Sequence, residues 1–387
     1  MLPPLAVYVH LPWCVRKCPY CDFNSHAAPR TLPEDAYVEA LLGDLRADLD
    51  LAAGRRAESI FIGGGTPSLF SPEAIGRLLA GIRAELPLAA GAEVTLEANP
   101  GTIERGRFEG YASAGVNRVS LGAQSFGAPQ LEALGRIHSP GDIEAAVADL
   151  RLAGIANFNL DLMYGLPGQD LAGALGDVER ALALEPAHLS HYQLTLEPGT
   201  AFFRRPPPLP DDDLALDMQL ACQARIAAAG LSQYEVSAYA RPGRRCRHNL
   251  AYWRFEDYLG LGAGAHGKAT TAEGVVRTER PRLPREYFAR QAGAATGTRR
   301  RVAADELPFE FMLNALRLVE GFSLEDFERG TGLPAATVLP ALEALERRGL
   351  IERAQGRLRP SPLGFRFLND LQATFLAGSP EGRPQVA

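Results

Sequence analysis

Lysine is almost absent from this chain of 387 residues: Lys17 and Lys268 are the only two, and arginine carries nearly all of the positive charge. This imbalance reflects genome composition more than function. The net charge of −6 argues against a general surface for binding polyanions. Nucleic acid is therefore not expected as a partner. A nucleic-acid-binding module with a metal knuckle is kept only as a third hypothesis, behind the two developed below.

Long apolar runs are also missing, because no stretch reaches 18 apolar residues and no basic start precedes a hydrophobic run. We expect a soluble cytoplasmic protein that meets a membrane only through its partners. Its length exceeds what one hydrophobic core usually serves, so two units are expected.

Cysteine is scarce, yet three of the five lie within "LPWCVRKCPYCDFN". A reducing cytosol disfavours disulfides, so clustered thiols indicate metal binding or catalysis. Structural zinc would need a fourth ligand, His10 or His26, because no second cysteine pair follows. Three cysteines suit a [4Fe–4S] cluster in which one iron has no protein ligand and can bind something else.

Strand-like and helix-like segments alternate about six times in the first 200 residues, which predicts an α/β fold with parallel strands. The strand-like runs are "AVYVHLP", "SIFIGGG", "EVTLEANP", "VSLGAQS", "FNLDLMYGLP" and "LSHYQLTLEPG". Each ends in polar or glycine-rich residues, as the strands of barrel enzymes do. We therefore predict a partial (β/α)6 TIM-type barrel.

Four regions are expected along the chain. A core barrel covers 1–235, and a connecting segment covers 236–300. A winged-helix-like domain covers 301–376, because helices there precede a hairpin and a last helix, and 377–387 forms a disordered tail. This C-terminal part, 301–387, holds ten arginines and twelve acids, so no basic face is evident.

The spacing C-x3-C-x2-C, with Tyr20 before the third cysteine, resembles the radical S-adenosylmethionine (SAM) superfamily. The resemblance implies a [4Fe–4S] cluster on Cys14, Cys18 and Cys21, SAM on its open iron, and an electron donor for the cluster. "GGGTPS" supplies Gly63, Gly64, Gly65 and Thr66, whose backbone can approach the methionine end of SAM. Glu97 ends the third strand and suits the ammonium or ribose hydroxyls of SAM.

Further motifs resemble the oxygen-independent coproporphyrinogen oxidase-like family over nearly the whole chain: "VYVHLPWC", "GGGTPS", "QSF", "LGRIHS" and "DLMYGLPGQ". By this resemblance Tyr8, Gln124, Arg136 and Asp161 belong to the SAM pocket. The true oxidases carry a further cysteine where this chain has Phe23. Oxidative decarboxylation of coproporphyrinogen III is therefore the second hypothesis.

The stretch "HNLAYW", residues 248–253, resembles the H-N-x-x-Y-W signature of the haem-chaperone branch of this family. That resemblance implies binding of haem b and its transfer to acceptor proteins such as respiratory enzymes, with a homodimer as a further expectation. His248 is the leading candidate for the haem ligand, and Cys246 and His191 are alternatives. From the residues alone, a hydrogen-bonded histidine at a helix start is the simpler interpretation.

A further stretch, "GAGAHG", formally matches a dinucleotide-binding motif. No helical apolar period follows it, so we expect an ordinary loop instead.

Overall fold

The structure, a computed structural model, describes residues 2–101, 106–291 and 297–376. The helices are α1 Glu34–Ala52, α2 Pro72–Glu85, α3 Phe108–Ala114, α4 Ala128–Ala133, α5 Pro140–Leu152, α6 Leu171–Ala183, α7 Ala201–Arg204, α8 Asp212–Ala228, α9 Arg247–Trp253, α10 Pro284–Gln291, α11 Leu307–Ala315, α12 Leu324–Thr331, α13 Leu339–Arg347, α14 Pro362–Arg366 and α15 Leu368–Ala373. Short 3₁₀ turns occupy Pro67–Leu69 and Ala335–Thr337.

The strands are β1 Leu5–Leu11, β2 Trp13–Cys14, β3 His26–Ala27, β4 Ala57–Gly64, β5 Leu88–Ala98, β6 Arg118–Gln124, β7 Phe158–Tyr164, β8 His188–Gln193, β9 Ser232–Glu235, β10 Ala238–Ala240, β11 Asp257–Leu261, β12 His266–Thr271, β13 Gly274–Glu279, β14 Thr298–Arg301, β15 Ile351–Ala354 and β16 Arg357–Pro360. Within the described residues, twelve of these strands form one sheet in the order β14-β13-β12-β11-β1-β4-β5-β6-β7-β8-β10-β9.

The predicted α/β barrel core is confirmed. The six predicted strands are β1 and β4–β8, and they lie side by side and parallel. A seventh parallel strand, β11, pairs with β1 from the other side. The stretch 236–300, expected only as a connection, thus supplies strands that extend the barrel sheet. "GAGAHG" joins β11 to β12, with no helix between them.

Sequence signals at the helix starts explain where the crossover helices begin. Ser71 precedes Pro72 and accepts a hydrogen bond from the Ala74 amide, and Asp170 accepts one from the Gly173 amide. Ser139 forms a capping box with Asp142 at the start of α5. Such caps satisfy amides that have no partner within the helix.

The C-terminal unit has its own hydrophobic core, in which Phe311 packs against Phe322 and Phe327. Three helices, α11–α13, precede the antiparallel hairpin β15–β16, which is the order predicted for a winged-helix-like domain. The predicted disordered tail, 377–387, lies outside the described residues. Across the described part of the chain, no helix is long and apolar enough to cross a membrane.

Candidate functional site

Alternation along the central strands sends polar side chains to the barrel interior. The inward residues of β5, β6 and β7 line an interior cavity: Glu97, Ser120, Gly122, Gln124, Asp161 and Met163. Their outward neighbours pack into the hydrophobic core: Leu96, Val119, Leu121, Leu160 and Leu162. One face of each strand therefore stabilises the fold, and the other builds the site.

This main cavity has a volume of about 460 Å³ and lies beside the loop of residues 14–25, here called the cysteine loop. It brings together most of the predicted site residues: Cys14, Cys18, Tyr20, Cys21, Gly64, Gly65, Thr66, Glu97, Gln124, Arg136 and Asp161. Three predicted residues, Tyr8, Gly63 and His248, do not line it. A cavity of this size is typical of small-molecule sites.

The cysteine loop begins and ends in a short parallel pairing of β2 with β3. Cys14 is buried in β2, whereas Cys18 and Cys21 are half-buried at the cavity. In the described residues no three His, Cys, Asp or Glu side chains converge as ligands of a single ion. Cysteines of a [4Fe–4S] cluster each bind a different iron, so such convergence is not required of them.

One of the two lysines stabilises this loop. The Lys17 ammonium donates to the carbonyls of Phe23, at 3.2 Å, and Ser25, at 3.3 Å. Burial raises the pKa of the Cys14 and Cys21 thiols, and hydrogen bonds from Thr66 and Ser25 oppose this increase only in part. Metal ligation by these cysteines therefore requires the release of their protons.

The glycine motif supports the loop through its backbone. The Gly65 amide donates to the Leu11 carbonyl, and the Thr66 amide donates to the Trp13 carbonyl, each at 2.8 Å. A Cβ atom at Gly65 would lie 2.6 Å from the Trp13 carbonyl oxygen, and Gly64 has a φ of +119°. Only glycine fits this close approach.

A chain of hydrogen bonds connects the strand ends to the second cysteine. Asn99 donates from its amide to the Thr66 hydroxyl at 3.0 Å and accepts from the Arg136 guanidinium at 2.5 Å. Arg136 also donates to the Gly122 carbonyl at 2.9 Å and to Cys18 Sγ at 3.6 Å. The guanidinium thus lies directly beside a cysteine of the motif.

Gln124 adopts a backbone conformation that is uncommon outside glycine, with a φ of +68° at an irregularity where β6 pairs with β7. Its Oε1 accepts a hydrogen bond from the Tyr192 hydroxyl at 2.9 Å. This left-handed residue ends β6 at the cavity wall. Strained backbone of this kind is often found at binding sites.

The two predicted carboxyl groups face the same space. The desolvation of Glu97, and secondarily the Asp161 carboxylate, raise the pKa of Glu97 to about 8, although the Gly64 amide donates to it at 3.1 Å. Burial also raises the pKa of Asp161, which accepts from Ser120 at 3.1 Å and from Asn159 at 2.7 Å. A cationic ligand between the two would favour their ionised forms.

A smaller cavity of about 210 Å³ lies deeper in the barrel and is lined by Tyr8, Arg118, His188 and His248, among others. It shares wall residues with the main cavity: Glu97, Ser120, Asp161, Ser190 and Asn249. Tyr8 contacts the His10 ring through its hydroxyl at 2.9 Å. Of the predicted site residues, Tyr8 and His248 thus line only this deeper cavity, whereas Glu97 and Asp161 line both cavities.

His248 is 1% exposed, and both of its ring nitrogens are engaged. Nδ1 lies 3.1 Å from the Ser59 hydroxyl, and Nε2 lies 2.9 Å from the Tyr252 hydroxyl. Desolvation, aided by the Arg118 charge, lowers the pKa of His248 to about 3. The imidazole is therefore neutral at physiological pH, the form that ligates metals.

The two alternative ligand candidates lie outside both cavities. The Cys246 thiol donates to Glu93 at 3.5 Å, and burial raises its pKa to about 12. His191 is on the outer face of β8, stacked on Tyr164 at 4.7 Å between ring centroids. Strand alternation decides this position, since the neighbouring Ser190 and Tyr192 point inward.

Sequence reasoning missed several residues of the cavity wall. Asn99 lies at the end of the strand-like run "EVTLEANP", and Tyr192 lies within "LSHYQLTLEPG", so both could have been found from those positions. Trp253 ends "HNLAYW". Arg317 comes from the C-terminal unit, and its Cζ lies 4.3 Å from the centroid of the Trp253 ring. No local signal connects Arg317 with this cavity, because Trp253, the wall residue nearest to it in the chain, is 64 residues away.

The residues present fit the cluster and SAM. Three cysteines adjoin a polar cavity at the carboxyl ends of parallel strands, where barrel enzymes bind their ligands. The buried Nε of Arg136 has no hydrogen-bond partner among the described residues, so a donor remains for a ligand. This fold and cysteine site define a barrel of the radical SAM class.

Comparison with known proteins gives the same class. The model of the Radical SAM superfamily matches residues 8–181, and the model of the HemN C-terminal domain matches residues 302–367. A structure of coproporphyrinogen III oxidase (HemN) from Escherichia coli superposes with a TM-score of 0.81, covering 97% of this chain and 90% of that one at 22% identity. That likeness concerns the fold.

Two curated relatives are more similar in sequence. Heme chaperone HemW of Escherichia coli (strain K12) is 50% identical over 97% of this chain and 99% of its own length. Heme chaperone HemW of Haemophilus influenzae is 46% identical over 97% of this chain and 98% of its own length. The chain belongs to the HemW family within the radical SAM superfamily, and radical SAM membership implies a [4Fe–4S] cluster and SAM as cofactors.

Proposed function

We propose that this protein is a haem chaperone that binds haem b and transfers it to acceptor proteins. The observation that carries the proposal is the 50% identity, over nearly the full length of both chains, to a protein named heme chaperone. The signature "HNLAYW" at residues 248–253 supports it from within the sequence.

In this proposal Cys14, Cys18 and Cys21 hold the cluster, within the barrel region 1–235. SAM, when bound to such a cluster, can supply a 5′-deoxyadenosyl radical on reduction. Gly64, Gly65 and Thr66 provide its backbone contacts, with Gly63 preceding them in β4. Tyr20 and Gln124 surround it, and Tyr8 adjoins it from the deeper cavity. Glu97 and Asp161 accept from its ammonium and hydroxyl groups, and Arg136 binds its carboxylate through the planar guanidinium.

His248 is the proposed axial ligand of the haem iron. Its low pKa means that no proton competes with iron above about pH 4. Ligation requires Nε2 to exchange the Tyr252 hydroxyl for the iron, so α9 must move to admit the porphyrin. The region 236–300, which carries this motif, would then act as the haem-binding part, and 301–376 as a cover over it.

An anaerobic haem titration of cluster-reconstituted protein tests this proposal through the Soret band and the retention of haem in gel filtration. We expect tight one-to-one binding, with an altered spectrum and weaker retention for His248→Ala. His191→Phe is the matched control, because it removes a buried histidine outside both cavities. Wild-type binding that is weak and indifferent to His248 would contradict the proposal.

Oxidation of coproporphyrinogen III is the second candidate, because the fold superposes on that oxidase along nearly the whole chain. Phe23, however, occupies the position where, by family resemblance, the oxidases carry a further cysteine. The chaperone proposal expects no protoporphyrinogen in an anaerobic assay with SAM and a reductant. Formation of protoporphyrinogen would show that haem transfer is not the protein's whole function.

The proposed partners are haem, haem-requiring respiratory enzymes and an electron donor for the cluster. We propose a cytoplasmic location, with membrane contact only through these acceptors, and a homodimer as the working assembly. No nucleic acid is expected. Transfer of haem from the loaded protein to an apo-acceptor, followed by the acceptor's own spectrum, tests the delivery step.

A further inference from the structure

Arg118 is a charged residue inside the barrel that the proposed function does not use. It begins β6, is 2% exposed, and lines the deeper cavity. Among the described residues its guanidinium has no hydrogen bond or ion pair, and Nε is buried without a partner. A buried guanidinium whose donors make no hydrogen bond is costly, so an arginine in this position points to a ligand.

None of the described acids near Arg118 forms a hydrogen bond or an ion pair with its guanidinium. Asp161 uses its two oxygens for Ser120 and Asn159, and Glu97 accepts from the Gly64 amide. Glu93 accepts from the Arg247 amide at 2.9 Å. These acids balance the charge of Arg118 from a distance, and the directional donors of its guanidinium are left for another group.

Asn249 supplies a second donor. It lines both the deeper and the main cavity, and its side-chain amide has no hydrogen-bond partner among the described residues. A guanidinium and an amide that face a common space are suited to a carboxylate, which accepts from both. Because the two cavities share wall residues, including Asn249, this pair can be reached from the main cavity.

We propose that Arg118 and Asn249 form a carboxylate-binding subsite that anchors a propionate of the haem cargo inside the barrel. This inference rests on the proposed function, because it takes its ligand from the cargo. The deeper cavity, at about 210 Å³, suits a propionate arm but not a whole porphyrin. The ring itself would lie against α9, which carries the proposed ligand His248 together with Asn249 and Trp253.

The test compares haem b with its dimethyl ester, which lacks free carboxylates, on full-length cluster-reconstituted protein. Arg118→Met is expected to weaken haem b binding about tenfold to hundredfold, the range of a lost charge-assisted hydrogen bond. It is expected to leave the affinity for the dimethyl ester unchanged. Arg180→Met is the control, because that arginine pairs with Glu144 at the surface.

Asn249→Leu provides an independent arm in case Arg118→Met does not fold, as judged by cluster absorption and thermal unfolding. It should weaken haem b binding several-fold, again without affecting the ester. An equal loss for both porphyrins, or no loss for haem b, would overturn the subsite.

SAM affinity, measured in parallel, separates the two sources of carboxylate. If Arg118→Met weakens SAM binding and leaves haem b unaffected, the carboxylate belongs to SAM, and the assignment to the cargo is wrong. Wild-type protein that binds neither porphyrin would contradict the proposed function itself. Wild-type protein that binds haem b with the same affinity as Arg118→Met would contradict only the subsite.

Discussion

Single residues at this site have unusual properties because of what surrounds them. Arg136 is an ordinary arginine in "LGRIHS", yet it lies beside Cys18 with Asn99 on its other side. With Cys18 as a cluster ligand, as proposed, the positive charge of Arg136 would favour the reduced, more negative state of the cluster. Glu97 is likewise an ordinary strand-end carboxylate whose protonation is changed by burial.

Glu97 allows a prediction about pH. Its pKa of about 8 means that it is mostly protonated at pH 7, and an ammonium group beside it favours ionisation. SAM binding should therefore release protons from Glu97, and affinity should rise with pH from 6 toward 8. Calorimetry in two buffers of different ionisation enthalpy measures this release.

Glu97→Gln is the comparison, because SAM's own amino group also titrates in this range. The variant should lose the part of the proton release that belongs to Glu97. Identical proton release in both proteins would show that Glu97 is not coupled to SAM.

At the scale of elements, the end of β4 is pressed against the start of the cysteine loop. The glycine backbone leaves no space for a side chain at position 65, and two backbone hydrogen bonds connect the segments. The local sequence "GGGTPS" is thus needed as much for the loop's position as for approach to a cofactor. Helix and strand propensities alone do not reveal this contact.

Gly65→Ala should lower the free energy of unfolding by about 1–3 kcal/mol, as overpacked sites do, and reduce cluster occupancy. Urea unfolding and the iron content after reconstitution measure the two effects. Gly176→Ala is the matched control, since its Cβ would have no atom within 4 Å in α6. That change should be neutral or stabilise by about 0.5–1 kcal/mol; equal effects of the two variants would contradict the steric argument.

The whole molecule contains an interior rich in ionisable groups. Burial is the leading cause that lowers the pKa of His138 and His191 to about 4 and of His248 to about 3. The unfolded chain binds protons at these histidines near pH 6.5, whereas the folded chain does not. Each therefore contributes stability above about pH 6.5 that decreases as the pH falls toward the folded pKa.

His191→Phe isolates one of these contributions, since the His191 ring stacks on Tyr164 and does not line the cavities. Between pH 7 and pH 5 the free energy of unfolding of the wild type should fall by about 2 kcal/mol more than that of this variant. The difference is 1.36 kcal/mol for each of the about 1.5 pH units between the unfolded pKa and pH 5. Urea unfolding at the two pH values measures it.

Tyr164→Phe controls for the stack, because burial raises the pKa of Tyr164 to about 12 and it does not titrate in this range. Between pH 7 and pH 5 the free energy of unfolding of Tyr164→Phe should fall by as much as that of the wild type. Parallel losses in His191→Phe and wild type would mean that His191 is protonated in the folded state.

Some features of this protein follow from the sequence by itself, because their signals are local. The three cysteines are close together in the chain, and strand and helix periods alternate regularly. These signals were enough to predict the α/β barrel class and the residues at the strand ends that line the main cavity.

Only the tertiary structure decided which side chains meet across the barrel. It joined Arg136 to Cys18, brought Arg317 to the cavity wall, and placed His191 on the outer face of its strand. It also buried His248 and left Arg118 facing a cavity without a hydrogen-bond partner among the described residues. The physical reason is that such contacts depend on strand register and packing between distant segments, which composition and periodicity do not encode.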